Sequence, residues 1–421
     1  MITLIEALNF RCLRYIQQPL GPFHVLVGPN ASGKTTFLDV VAFLGQLVSD
    51  GPEAAIRERT EAFDDLLWHR TGKRFQLAIE VRIPEERREV LHEKDRSYET
   101  ARYEVEIGAD DSSGEIGILA ERLLCKTRSQ HGQKQRTLFP AATEAPPTIF
   151  GPARGQSIRR IVTKARGGND NFYSEVSPKS GKGWFPSIKL GPRKSALGNL
   201  PDDESKFPIG TWLRGFLAEG VSRIQLNSLL IRKASPPGQV RRFKPDGSNL
   251  PWMVSDLQKQ SPQRFHDWIS HLRTALPDLT DMRVVEREDD KHRYLVLKYA
   301  GNLEVRSWMA SDGTLRLLAL TLPAYLPHVS GVYLIEEPEN GIHPRAVETM
   351  YQSLSSVYDA QVLLATHSPV ILSVVEADKV LCFAKTEEGE TDIVLGSEHP
   401  ALSQWKGETN LGVLFAGGVL G

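Results

Sequence analysis

Two glycines, Gly28 and Gly33, are followed at once by Lys34, Thr35 and Thr36, and residues of these types at this spacing can hold a chain of phosphates. The whole stretch, Gly-Pro-Asn-Ala-Ser-Gly-Lys-Thr-Thr, fits the pattern G-x-x-x-x-G-K-[ST]. The glycines let the backbone turn so that its N–H groups approach phosphate oxygens. Lys34 can reach the β- and γ-phosphates, and Thr35 can ligate Mg²⁺. Asn30, Ser32 and Thr36 complete the candidate nucleotide-binding set. Far along the chain an apolar run, Val-Tyr-Leu-Ile, ends in two adjacent carboxylates, Glu336 and Glu337. Side chains alternate along a strand, so the pair can serve different partners: one the Mg²⁺ or its water, the other the water that attacks the γ-phosphate. His367 follows a second apolar run and is placed to hydrogen-bond a γ-phosphate or the attacking water. A fourth piece, Ser311-Asp-Gly313-Thr, precedes a helical pattern and offers a second anion site at a helix N-terminus.

These groups act together only if the elements around them bring them together. Residues 23–27 read as a short buried strand, and residues 35–47 keep apolar side chains on one helical face, so the phosphate loop ends on a helix N-terminus. Strands are expected at 2–10 and 13–16, and again at 75–83 and 101–107, where the alternation suits an antiparallel lobe. Helices are expected at 252–260 and 262–276, strands at 282–287 and 293–299, and a helix after Ser311 that Pro323 ends or bends. Pro344 suits the first position of the helix after the carboxylates, with His343 at its cap.

Composition bounds the rest. The chain has 421 residues, 40% of them hydrophobic, enough for two or three domains with sizeable cores. Lys and Arg number 51 against 52 Asp and Glu, so attraction to nucleic acid must come from a local patch. The start has no basic region followed by an apolar core, and no apolar run reaches the ~18 residues of a membrane span, so a cytoplasmic protein is expected. The three cysteines, Cys12, Cys125 and Cys382, lack metal-ligand spacing and read as thiols without a metal role. Residues 121–200 are strongly basic and rich in Gly, Ser and Pro. Arg159, Arg160, Lys164, Arg166, Lys179, Lys182, Arg193 and Lys194 are interleaved with Phe172, Tyr173, Trp184 and Phe185, which suits DNA or RNA backbone neutralisation with base stacking. A solvated, loop-rich insertion explains the same composition equally well.

The four pieces in this order resemble the ABC-type ATPase heads of the RecF, SMC, Rad50 and OLD group, in particular the stand-alone bacterial RecF-like or OLD-like AAA family ATPases, many of them in anti-phage systems. The resemblance covers about residues 1–110 and 246–385. It implies an α/β ABC-type P-loop NTPase head with a mainly parallel sheet core and an antiparallel lobe. Residues 1–120 and 246–421 would be its two parts, and residues 121–245 a basic, partly loop-like insertion. By the resemblance Lys34 and Thr35 belong to Walker A, Glu336 takes the Walker B metal position, Glu337 is the catalytic base and His367 the switch histidine. Ser311 and Gly313 fall in the signature that reaches the nucleotide of a second subunit, with Asn340 and His343 beside the dimer interface. Arg11 contacts the nucleotide, and Gln76 is a candidate for the glutamine of the lobe-connecting loop. Glu336 stands where Asp is commonest, Ala31 where Gly is frequent, and Ser-Asp-Gly-Thr where transporters have Ser-Gly-Gly-Gln.

What the resemblance implies for function is an ATPase using ATP and Mg²⁺ as a homodimer or higher oligomer. It would couple turnover to nucleic-acid sensing or to a separately encoded effector, such as a TOPRIM-like nuclease, in bacterial defence or DNA maintenance. Only about 50 residues follow His367, too few for a nuclease domain of ~100 residues. A slow or non-hydrolysing ATP-gated scaffold is the alternative, and a transporter's nucleotide-binding subunit a third.

Overall fold

The computed structural model describes the chain except for residues 92, 112, 128–136, 153–154, 156, 177–185 and 404–421. Lys179, Lys182, Trp184 and Phe185 therefore lie outside the described residues.

The chain opens with a hairpin, β1 (Ile2–Phe10) and β2 (Leu13–Pro19), and then enters β3 (Phe23–Val27), the phosphate loop and α1 (Lys34–Asp50). A short α2 (Pro52–Arg57) leads to β4 (Arg74–Arg82), α3 (Glu85–Glu89), β5 (Thr100–Ala109) and β6 (Ile116–Lys126). Strands β7 (Ile158–Lys164), β8 (Asp170–Phe172) and β9 (Ser187–Ile188) follow. These make an eight-stranded antiparallel sheet in the order β2-β1-β4-β5-β6-β7-β8-β9.

After α4 (Pro208–Glu219) come β10 (Val221–Ile224) and the short α5 (Ser228–Arg232). Helices α6 (Leu250–Gln260) and α7 (Pro262–Ala275) precede a three-stranded meander, β11 (Leu279–Glu286), β12 (Arg293–Tyr299) and β13 (Leu303–Arg306). The last part alternates α8 (Asp312–Thr321), β14 (Val332–Glu336), α9 (Pro344–Ser355), β15 (Gln361–Ala365), α10 (Pro369–Val374), β16 (Val380–Lys385) and β17 (Thr391–Leu395). The second large sheet runs β10-β14-β15-β3-β16-β17; only the β16/β17 pair is antiparallel.

The parallel strands are apolar on both faces because both faces are covered. Leu26 points into the cluster that holds Phe37 and Leu44 of α1, while Val25 and Val27 point into the one that holds Leu318 of α8 and Met350 of α9. Helix α1 is sandwiched between the two large sheets, and Phe43 meets Phe10 and Phe75 at ring separations of 5.8 and 5.6 Å. The rigid parallel sheet thus carries β3, β14 and β15 side by side with their carboxyl ends together.

Residues 121–245, expected as a basic insertion, are woven into both sheets. Most of β6, with β7 to β9, widens the antiparallel sheet, α4 packs on α1, and β10 pairs in parallel with β14. The basic residues find acids within the lobe. Arg159 is buried against Asp95, Lys164 Nζ lies 2.7 Å from Asp170, and Arg166 reaches Asp110 at 3.0 Å and Asp111 at 2.7 Å. Arg160 lies over the Tyr173 ring at 4.9 Å. These four cations do not form an open cationic face.

Candidate nucleotide site

The carboxyl end of β3 turns into the phosphate loop at Gly28, whose φ of 149° and close neighbour exclude a side chain: a Cβ there would lie 2.2 Å from the Phe383 carbonyl oxygen. Gly33 closes the loop at φ 105°, and a Cβ there would meet Thr391 Oγ1 at 2.3 Å. The loop is therefore clamped against β16 and β17, and Thr391 Oγ1 also donates to the Ser32 carbonyl at 2.9 Å. The tightness of the turn, and not the general freedom of glycine, fixes these two positions. Ala31 takes a left-handed φ of 63° where related loops often use Gly.

Lys34 is buried, and its ammonium donates to the carbonyls of Gly28 at 2.8 Å and Pro29 at 2.9 Å. Burial pushes it down to about 8, against the opposing pull of Glu337 and Glu336. Ser32 Oγ is buried without a hydrogen-bond partner among the described residues. The Thr35 hydroxyl donates to Glu336 Oε2, so the two oxygens expected to serve the metal already meet across the junction of α1 and β14.

Glu337 turns out of the strand with φ 47°; its N–H bonds the Ala365 carbonyl at 2.8 Å, and its Oε2 accepts from Asn340 Nδ2 at 2.6 Å. The adjacent carboxylates thus face different partners because the left-handed residue Glu337 leaves the strand just after Glu336. Glu339 ties the two strand ends together: its Oε1 accepts from the Thr366 hydroxyl at 2.6 Å and from the His367 N–H at 3.1 Å. The His367 imidazole is pushed below its ordinary value, first by burial and then by Lys34, with Glu337 and Glu339 opposing. The lowering favours the neutral imidazole, which can exchange hydrogen bonds with a phosphate or water.

These groups line one cavity of about 650 Å³, within the usual range of small-molecule sites (~300–1,000 Å³). Asn30, Thr36 and Arg11 join its wall. Arg11 is held there by Asp39 of α1 at 3.2 Å, an acid that also takes both oxygens' bonds from Arg59 at 2.9 Å. The donor set suits a Mg²⁺–triphosphate: a tight N–H cradle with a spare hydroxyl, a lysine at its base, and a Thr–Glu oxygen pair beside it.

Three features escaped the sequence. Trp68 and His69 form part of the cavity wall, their rings stacked 4.0 Å apart and 18° from parallel. They sit in a turn where His69 and Arg70 take φ of 51° and 55°, so neither helix nor strand periodicity reveals them. Asn340 orients Glu337, and Arg223 of β10 reaches Glu336 Oε1 at 2.7 Å. Ser311 and Gly313 lie outside the cavity wall. Ser311 caps α8 by accepting from the Thr314 N–H at 3.1 Å, and Arg232 pairs with Asp312 at 2.8 Å. His343 caps α9 in the same way. Gln76 does not reach the cavity; it accepts from the Thr148 hydroxyl and the Ile149 N–H, pinning that segment to the antiparallel sheet.

The comparisons with known proteins agree with this construction. An Smc head crystallised with the C-winged helix domain of ScpA superposes with a TM-score of 0.51 at 14% identity, covering 93% of this chain and 97% of that one. The shared feature is the fold. A curated relative, the OLD nuclease of Thermus scotoductus, is 49% identical over 41 residues, which are 10% of this chain and 8% of that protein. The model of one family matches residues 23–136 and 182–373, well over half of the chain. The chain therefore belongs to the family described as "AAA domain, putative AbiEii toxin, Type IV TA system", a family of AAA-type ATPases, here with the α/β fold of an Smc-type head.

Proposed function

We propose that this protein binds ATP with Mg²⁺ in the cavity at the ends of β3, β14 and β15, hydrolyses it, and couples that cycle to a partner. The observation that carries the reading is the convergence of Lys34, the Thr35–Glu336 pair, the Asn340-held Glu337 and His367 on one cavity. In this reading Lys34 exchanges the loop carbonyls for phosphate oxygens, and Thr35 and Glu336 hold the metal, which supplies charge neutralisation at the phosphates. Glu337 accepts the proton of the attacking water, held in line by Asn340, and His367 hydrogen-bonds the γ-phosphate. The Trp68–His69 shelf receives the purine by stacking.

The N-terminus of α8, with Ser311 and Gly313, lies outside the wall of this cavity; in this reading it serves the nucleotide of a second copy, giving an ATP-dependent homodimer. Closure of that dimer would hold or release a separately encoded effector, a nuclease above all. Acidic groups that might suggest a nuclease in this chain are locally paired: Asp65 with Arg70, Asp202 with Arg214, Asp203 with Lys206, Asp290 with Arg287. We place this cycle in bacterial defence or DNA maintenance, in the cytoplasm; the OLD nuclease likeness over 41 residues supports the link to a nuclease. No helix among the described residues is long and apolar enough to cross a membrane. An ATP-gated scaffold with slow turnover is the second reading, favoured by the fact that both oxygens of Glu336 are engaged by protein donors.

Light scattering with and without ATP tests the cycle. Glu337→Gln should trap a dimer in ATP while Lys34→Ala stays monomeric. A mass that ignores nucleotide in wild type and both variants overturns the dimer.

A further inference from the structure

Glu336 is contacted from two sides. Thr35, on the cavity side, donates to Oε2; Arg223, which is not part of the cavity wall, donates to Oε1 at 2.7 Å. The pairing register explains why Arg223 can do this. In the parallel β10/β14 pair Arg223 is opposite Leu334, so Glu336, two residues on, is its diagonal neighbour on the same face of the sheet. Ile224, the next residue, points to the other face and into the core of α8 and α9. The edge strand is thereby fixed on one face by apolar packing and delivers a guanidinium to the metal-side carboxylate on the other.

Two adjacent carboxylates at a strand end repel each other unless a cation stands near. Lys34 is the cation on the cavity side, and Arg223 supplies one at the far side. Resting on the reading that Glu336 is the metal carboxylate, we propose that Arg223 is the resident counter-cation of Glu336. It occupies one oxygen and offsets its charge, so that a divalent ion binds tightly there only when a triphosphate brings further negative charge and ligands.

Two effects of Arg223 on the metal oppose each other. It repels a divalent ion and denies it bidentate ligation, which weakens binding; it also fixes the carboxylate's rotamer, which strengthens it. The repulsion wins because Thr35 already holds the other oxygen, leaving little rotamer freedom for Arg223 to remove. The guanidinium acts as a positioning and charge-setting group from outside the cavity wall.

The test is Mn²⁺ binding to the nucleotide-free protein, followed by the electron paramagnetic resonance of free Mn²⁺. Arg223→Ala should bind Mn²⁺ about tenfold more tightly than wild type, the order expected for removing one nearby like charge in a partly solvated site. Arg223→Gln, which keeps a hydrogen bond without the charge, should do the same and substitutes if the alanine variant does not fold. Arg223→Lys should stay close to wild type. In a Glu336→Gln background the Arg223→Ala change should have no further effect, whereas a merely structural role for β10 would act equally in both backgrounds. Unchanged or weaker Mn²⁺ binding in both Arg223→Ala and Arg223→Gln overturns the proposal. If Glu336→Gln leaves Mn²⁺ binding in the presence of ATP intact, the metal assignment itself fails; if it abolishes that binding while the Arg223 variants match wild type, only the counter-cation role falls.

Discussion

The antiparallel lobe and the carboxyl ends of the parallel sheet are both dense in charge, yet they use it in opposite ways. In the lobe Arg102 lies between Glu6 at 2.7 Å, Glu80 at 3.0 Å and Glu104 at 2.6 Å, all of them buried; against burial, which lowers it, Glu6 and Glu104 hold the guanidinium above its ordinary range. Lys126 also reaches Glu80 at 2.5 Å, and Tyr103 donates to the buried Glu121 at 2.9 Å. Here the charges are answered mainly by one another, although Glu6, Glu80, Arg102, Glu104 and Lys126 also border a smaller cavity of about 400 Å³. At the ends of β3, β14 and β15 the groups converge on open space, and what pairing exists leaves Lys34, Glu337 and His367 lining a cavity. The difference teaches that the charge carried by a segment says little about binding. Side chains inside a paired sheet meet their neighbours; side chains at the ends of parallel strands meet a ligand.

That contrast can be broken or sharpened by substitution. The largest effect belongs to Glu337→Gln, which should lower phosphate release by ~10²–10⁴-fold while a fluorescent ATP analogue still binds. Next, Arg102→Met removes the cation that Glu6 and Glu104 share, while Lys126 still holds Glu80, and should destabilise the fold by ~3–5 kcal/mol in urea. The molecules that remain folded should bind ATP as wild type does; lost binding with unchanged stability would show that the two regions are not separate in their roles.

Trp68→Ala should weaken ATP by ~1–3 kcal/mol, the worth of one stacked base, and leave inorganic tripolyphosphate unaffected. Equal losses for both ligands would place Trp68 elsewhere than beneath the base. A pH-dependent effect concerns Glu175, buried under the first turn of α4 with its oxygens on the N–H groups of Ile209 and Gly210 at 2.6 and 2.8 Å. Burial raises it to about 8 from an ordinary 4.5. A raised carboxyl contributes stability that is full below 4.5 and lost as pH climbs through 8, because the folded state holds the proton longer. Urea midpoints should therefore fall between pH 5 and 8 in wild type, and that slope should flatten in Glu175→Gln.

Much of the site was legible in the sequence because its parts are local: a buried strand, a loop of fixed spacing and an amphipathic helix follow one another from 23 to 50, and β14 and β15 each end on their polar residues. What was not legible depends on pairing between distant segments. Nothing near Arg223 indicates that β10 will lie beside β14, and the short strand has only four residues of pattern. The partners of the basic stretch were hidden for the same reason, since Asp95, Asp110 and Asp111, which pair with Arg159 and Arg166, lie in a short 3-10 helix and a loop far from them in sequence. Trp68 and His69 lie in a left-handed turn that no periodicity marks.

The central claim is that the cavity at the ends of the parallel sheet is an ATP site built on Lys34, and calorimetric titration of Mg²⁺–ATP into wild type and Lys34→Ala tests it most directly. Wild type should bind one ATP per chain and Lys34→Ala should give no measurable heat of binding, with both proteins showing the same thermal unfolding in the absence of nucleotide. Equal affinity and stoichiometry in the two proteins would contradict it and place the nucleotide elsewhere in the molecule.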